Sequence, residues 1–154
     1  MGREKLQFTK NLLAFCLFIF SSATAYAAQT WAGVTCLALQ ISDNDSATMN
    51  KVLNAAANFV RMQSKKGNMF NIGIVAFYAG LHMLREDTSP VMKRVKSFSS
   101  SIPDLRLNAC QNTINGLMKK EGEAPPLVQS AVVAPGGVGR LLKLDDGGYF
   151  VIRP

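Results

Sequence analysis

Two segments, Val34-Thr35-Cys36-Leu37-Ala38-Leu39-Gln40-Ile41 and Phe70-Asn71-Ile72-Gly73-Ile74-Val75-Ala76-Phe77, are apolar along most of their length and not only at every second residue. A strand with one wet face alternates with period two. A continuous run fits a strand covered on both sides, the situation of a parallel sheet between helices. The residues between the two runs agree. Ser42-Asp43-Asn44-Asp45-Ser46 is rich in helix-capping side chains, Met49, Val52, Leu53, Ala56 and Val60 recur at helical spacing, and Gly67-Asn68 breaks the chain before the second run. This β-loop-α unit commits the chain to an α/β fold.

The pattern continues. Tyr78-Ala79-Gly80 ends the second strand, and Leu81–Leu84 begin a short helix. Ser89-Pro90 reads as an N-cap followed by proline at the first helical position, with Val91, Met92, Val95 and Phe98 as an apolar stripe. Leu105–Ala109 form a third strand and Gln111–Met118 the next helix. Ser130–Ala134 form a fourth strand, Val138–Leu144 a helix and Tyr149–Ile152 a closing strand. This alternation predicts a three-layer α/β sandwich around a mainly parallel central sheet of about five strands. In such sheets the working site lies beyond the carboxyl ends of the strands. Ser42–Asp45, Tyr78–His82, Cys110–Thr113 and Pro135–Gly137 all fall at that edge.

Residues 1–27 read as a secretory signal peptide. Arg3, Lys5 and Lys10 precede the apolar stretch Leu12–Phe20, and Ala25-Tyr26-Ala27 supplies the small-x-small cleavage pattern. Nine apolar residues fall well short of the roughly 20 that span a bilayer, so no stable membrane span is expected after cleavage. Residues 28–154 then form a single domain in the bacterial periplasm, long enough to bury a core. This part carries 14 Lys and Arg against 9 Asp and Glu. Its basic pairs are scattered without interleaved aromatics, which argues against nucleic-acid binding and for solvated helix faces that also attract small anions.

Cys36 and Cys110 both lie in residues 28–154. With Cys36 near the start of one parallel strand and Cys110 just past the end of another, their offset is on the order of 15 Å, beyond the reach of a disulfide. Cys36 reads as a small core residue and Cys110 as a free thiol. Cys110 stands where a strand hands over to a helix, facing free N–H groups that favour its thiolate. Asn112 and Thr113 are its expected supports, and Gly136 and Gly137 would let further backbone amides approach an anionic sulfur species. His82, the one histidine, is a weaker candidate neighbour after the second strand. Asp43 and Asp45 are explained by helix capping, and no His/Cys spacing suits zinc, so no metal is expected. Gly136-Gly137-x-Gly139 lacks the Lys-Ser/Thr of a P-loop and the dinucleotide fingerprint, so no cofactor is expected either.

Ala109-Cys110-Gln111-Asn112-Thr113, Leu39–Asp45, Leu53-Asn54-x3-Asn58, Pro135–Leu141 and Gly148–Pro154 together resemble the DsrE/DsrF-like family of sulfur-oxidation proteins. The resemblance covers nearly all of residues 28–154. It implies a flavodoxin-like fold, assembly as homo-oligomers, and a cysteine at Cys110 that carries sulfur as a persulfide and passes it to an acceptor thiol. Where many relatives have a His-Gly-Pro-like segment, this chain has Phe77-Tyr78-Ala79-Gly80. The expected function is that of a sulfur carrier or sulfurtransferase whose partners are a small sulfur-containing anion or an acceptor protein thiol. The alternative is a non-enzymatic oligomeric module that binds an anion or a partner at the same edge, with Cys110 only packing.

Overall fold

The computed structural model describes residues 33–154; the expected signal peptide lies outside the described residues. The elements are β1 (Val34–Ile41), α1 (Ser46–Lys66), β2 (Met69–Ala76), a 3₁₀ segment (Tyr78–Leu84), α2 (Met92–Ser101), β3 (Leu105–Cys110), α3 (Gln111–Glu121), β4 (Ala131–Ala134), α4 (Gly137–Asp146) and β5 (Phe150–Ile152). The five strands form one sheet in the order β4-β3-β2-β1-β5, and every pair is parallel. The chain is thus an α/β sandwich of flavodoxin-like character.

The strand order dictates the layers. From β1 to β4 the chain steps in one direction across the sheet, and right-handed crossovers place α1, α2 and α3 on the same face. Val52, Val95 and Ile114 from these helices bury against Leu39, Ile74 and Leu107 there. The last crossover runs back across the sheet to set β5 beside β1, so α4 falls on the opposite face, where Leu141 and Leu144 cover Ala38 and Val75. Among the described residues, one face therefore carries three helices and the other carries one.

Local signals act largely as read. Asp45 caps α1, its carboxylate accepting the Thr48 N–H at 2.7 Å, and this bond holds the Asp45 carboxyl below its ordinary range. Gly67 ends α1 in the left-handed conformation, φ +67°. Ser89-Pro90 behaves differently from the expectation. The Ser89 hydroxyl donates to the Met83 carbonyl at 2.8 Å, which folds Ser89–Val91 into a turn, and α2 starts only at Met92 with no side-chain cap. The short helix near Leu81 is a 3₁₀ segment that already starts at Tyr78. Among the described residues, no helix is long and apolar enough to cross a membrane.

Candidate functional site

Ile41, Ala76 and Ala109 lie level across β1, β2 and β3, and Cys110 sits beside Ala134 of β4. The carboxyl ends of β3 and β4 part company at this point: α3 leaves toward the three-helix face and α4 toward the other. A crevice opens between adjacent strands whose helices diverge in this way, and Cys110 is at its base. Cys36, paired with Asn71, is roughly 20 Å of strand length away, and both cysteines are free thiols.

Cys110 ends β3, stands at the N-cap position of α3 and is 5% exposed. Its Sγ accepts the Gly137 N–H at 3.2 Å, from the first turn of α4. The thiol thus meets the positive ends of two helices, its own and the next. Burial by itself pushes the thiol pKa up. The Thr113 hydroxyl and the N–H groups of Thr113, Gly137 and Asn112 around the sulfur outweigh burial and hold the thiol below its ordinary range, and of these only the Gly137 N–H makes a hydrogen bond to it among the described residues. Asn112 and Thr113 are where the sequence places them, although Asn112 supports the sulfur through its backbone. Thr113 does more than close a cap. Its Oγ1 accepts the Tyr78 N–H at 2.9 Å, which joins the 3₁₀ segment to the first turn of α3 beside the thiol. Tyr78 makes that bond from φ +49°, a left-handed backbone seldom adopted by an aromatic residue.

The two glycines have different reasons. A Cβ on Gly137 would lie 2.6 Å from Phe77, so only glycine lets α4 approach close enough to present its N–H. A Cβ on Gly136 would meet only the Asn112 amide at 3.6 Å, an ordinary contact. His82 faces the same cavity, but its Nδ1 lies 3.0 Å from Thr88 Oγ1, and no hydrogen bond joins it to Cys110 among the described residues. Ser42–Asp45, expected at the same edge, stand apart from the cavity because β1 is two strands from β3. Asp43 instead pairs with Arg153 beyond β5 at 2.7 Å. Among the described residues no group of three or more His, Cys, Asp or Glu could hold a metal ion.

The cavity has a volume of about 630 Å³, with Cys110 at its floor. The 3₁₀ segment forms one wall, α3 a second and the start of α4 a third. No family model matches the chain, and no curated protein matches it. Among solved structures it is similar to a protein of unknown function, MTH1491 from Methanobacterium thermoautotrophicum, at 22% identity and a TM-score of 0.66, over 78% of this chain and 99% of that one. At that identity the likeness shows the fold and no more.

Sequence reading missed Asn108. It lies two residues before Cys110 and so on the same face of β3, and it is 2% exposed. Its amide donates to the Ile74 carbonyl at 3.2 Å and the Arg106 carbonyl at 3.1 Å, and its Oδ1 accepts Arg140 Nε at 2.8 Å. Because the Arg140 N–H also donates to the Gly136 carbonyl at 2.9 Å, this bond ties the first turn of α4 to the strand that carries the thiol. Asn108→Leu is expected to cost about 1–2 kcal/mol, the scale on which removing a buried hydrogen-bonding group of unchanged shape destabilises a fold. It should also slow native-state alkylation of Cys110. Urea unfolding and iodoacetamide kinetics measure the two effects.

Proposed function

We propose that the protein is a sulfur carrier or sulfurtransferase of the DsrE/DsrF-like kind, with Cys110 as the sulfur-bearing residue. The observation that carries this reading is the Gly137 N–H held 3.2 Å from a thiol at the N-cap position of α3, at the floor of a cavity. The Cys110 thiolate attacks the outer sulfur of a sulfane donor such as thiosulfate. A new S–S bond forms, the donor S–S bond breaks, and sulfite leaves with the electron pair. Cys110 is left as a persulfide whose terminal sulfur carries the negative charge. An acceptor thiolate then attacks that sulfur and takes it as its own persulfide, and Cys110 departs as thiolate. The sulfur moves without net oxidation or reduction, so the cycle needs no cofactor.

The amides of Asn112, Thr113 and Gly137 stabilise the negative sulfur in the attacking thiolate and in its return as leaving group. The proposal includes export through residues 1–27 and action in the periplasm. It includes a homo-oligomer too, for which the single-helix face with exposed Val132, Val138 and Leu142 offers apolar surface. The test is mass spectrometry of the intact protein after incubation with thiosulfate or polysulfide. Wild type is expected to gain one sulfur atom, reversibly by added thiol, and Cys110→Ser none. No gain on wild type, or equal gain on both, refutes the reading.

A further inference from the structure

The cavity is far larger than an inorganic sulfane anion requires, and its shape is informative. Thr113, Gly116, Leu117 and Lys120 line it from α3. Their spacing of three, four and seven residues puts them on one face of the helix, over about 10 Å of its length. The cavity is therefore a groove that starts at Cys110 and runs along α3. The groove is open at Gly116, where a Cβ would meet nothing within 4 Å. Glycine in a helix interior costs about 1 kcal/mol relative to alanine, and no packing contact at Gly116 requires that sacrifice. Leu117, Tyr78 and Val138 give the groove apolar sides, and Tyr78 is 70% exposed there.

The charge of the groove narrows the ligand further. Lys120 stands at the far end, no carboxylate lines the groove, and Lys120 makes no ion pair among the described residues. A ligand that fills this space has sulfur at one end, a mixed apolar and polar body, and a negative group about 10 Å away. A fully extended tripeptide spans about 10 Å. Cavities of roughly 300–1,000 Å³ are the size that takes small organic molecules.

Resting on the sulfur-carrier reading, we propose that the sulfur partner in this groove is a low-molecular-weight organic thiol of about tripeptide size. Its sulfur lies at Cys110 and its carboxylate at Lys120. Its thiolate attacks the outer sulfur of the Cys110 persulfide, forms the new S–S bond and leaves as an organic persulfide, and the Cys110 thiolate is released with the electron pair of the broken bond.

Two measurements test this and separate it from the reading beneath it. In the first, S-methylglutathione, which has no thiol to react, is added while Cys110 is alkylated by iodoacetamide. Saturable protection is expected in wild type and at least a tenfold loss of affinity in Lys120→Glu and in Gly116→Leu. Absence of protection, or protection equal in all three proteins, overturns the groove assignment whatever the sulfur chemistry. Equal protection by a cysteine-free peptide with both ends capped also overturns it, and points to a protein segment as the occupant. In the second, persulfidated protein is offered glutathione or 2-mercaptoethanol. Glutathione is expected to remove sulfur at least tenfold faster than 2-mercaptoethanol from wild type, with the advantage lost in both variants when each protein starts fully loaded. No preference between the thiols overturns the proposal. Protection by S-methylglutathione with no loading of Cys110 refutes the sulfur-carrier reading and leaves the groove's ligand class standing.

Discussion

Gly137→Ala is expected to move the pH midpoint of Cys110 alkylation upward and to slow the reaction at neutral pH about threefold for each tenfold loss of thiolate. The added methyl would lie 2.6 Å from Phe77, a side chain 5% exposed at the end of β2 and stacked edge-on against Tyr78, so the ring has nowhere to go. The first turn of α4 must withdraw instead, and the Gly137 N–H goes with it. That N–H bonds the sulfur most strongly when it is charged, so its loss favours the protonated thiol and raises the pKa. Each tenfold loss of thiolate is partly offset because a more basic thiolate is about threefold more nucleophilic, which leaves a net slowing of about threefold. The sign reverses above both midpoints, where thiolate is complete in each protein and the variant reacts faster. Gly136→Ala is the control. Its methyl meets only the Asn112 amide at 3.6 Å, and its pH profile should overlay that of wild type. Gly137→Ala with an unshifted midpoint would show that the α4 amide does not govern the thiol.

The contrast between those glycines marks what can be read from the sequence. That Cys110 ends a strand and begins a helix was legible, because apolar Leu105 and Leu107 stop where polar Gln111 and Asn112 start. That amides after β4 approach the sulfur was legible from paired glycines. Which glycine does so was not, since the answer is Phe77, 60 residues earlier in the chain. Lateral strand order was equally hidden. Nothing local in Tyr149–Ile152 says that it returns beside β1, yet this return throws α4 to the opposite face and opens the crevice at β3 and β4. The same ordering leaves Ser42–Asp45 outside the site. Ser89-Pro90 does not start α2 because the Ser89 hydroxyl, donating to the Met83 carbonyl, is held where it accepts the Val91 N–H at 3.3 Å within a turn that precedes the helix.

The site's other wall depends on one close approach. Gly80→Ala is expected to destabilise the protein by about 3 kcal/mol, at the upper end of the usual cost of overpacking, and to lower the thermal midpoint by roughly 10 °C. Gly80 is buried in the 3₁₀ segment, and a Cβ there would overlap the Ile41 carbonyl and lie 2.7 Å from the Ser42 nitrogen. The obstacle is backbone on both sides, so no rotamer change can relieve it. Nor can the two chains simply part. The Phe77 N–H donates to that same Ile41 carbonyl at 3.1 Å, and the Gly80 N–H donates to the Phe77 carbonyl at 3.1 Å. Moving Gly80 away therefore strains the bonds that hold Phe77 over Gly137 and the Tyr78 N–H against Thr113. Cys110 should become slower to alkylate in the folded state as well, which a loss confined to stability would not produce. Gly116→Ala provides the opposite sign: its methyl enters open space, and the helix gains up to about 1 kcal/mol. Differential scanning calorimetry on the two variants, with iodoacetamide kinetics below the transition, separates these outcomes. A Gly80→Ala protein melting within 2 °C of wild type, as an order-of-magnitude threshold of about 0.5 kcal/mol, would mean that the β1 end and the 3₁₀ segment are not locked together as described.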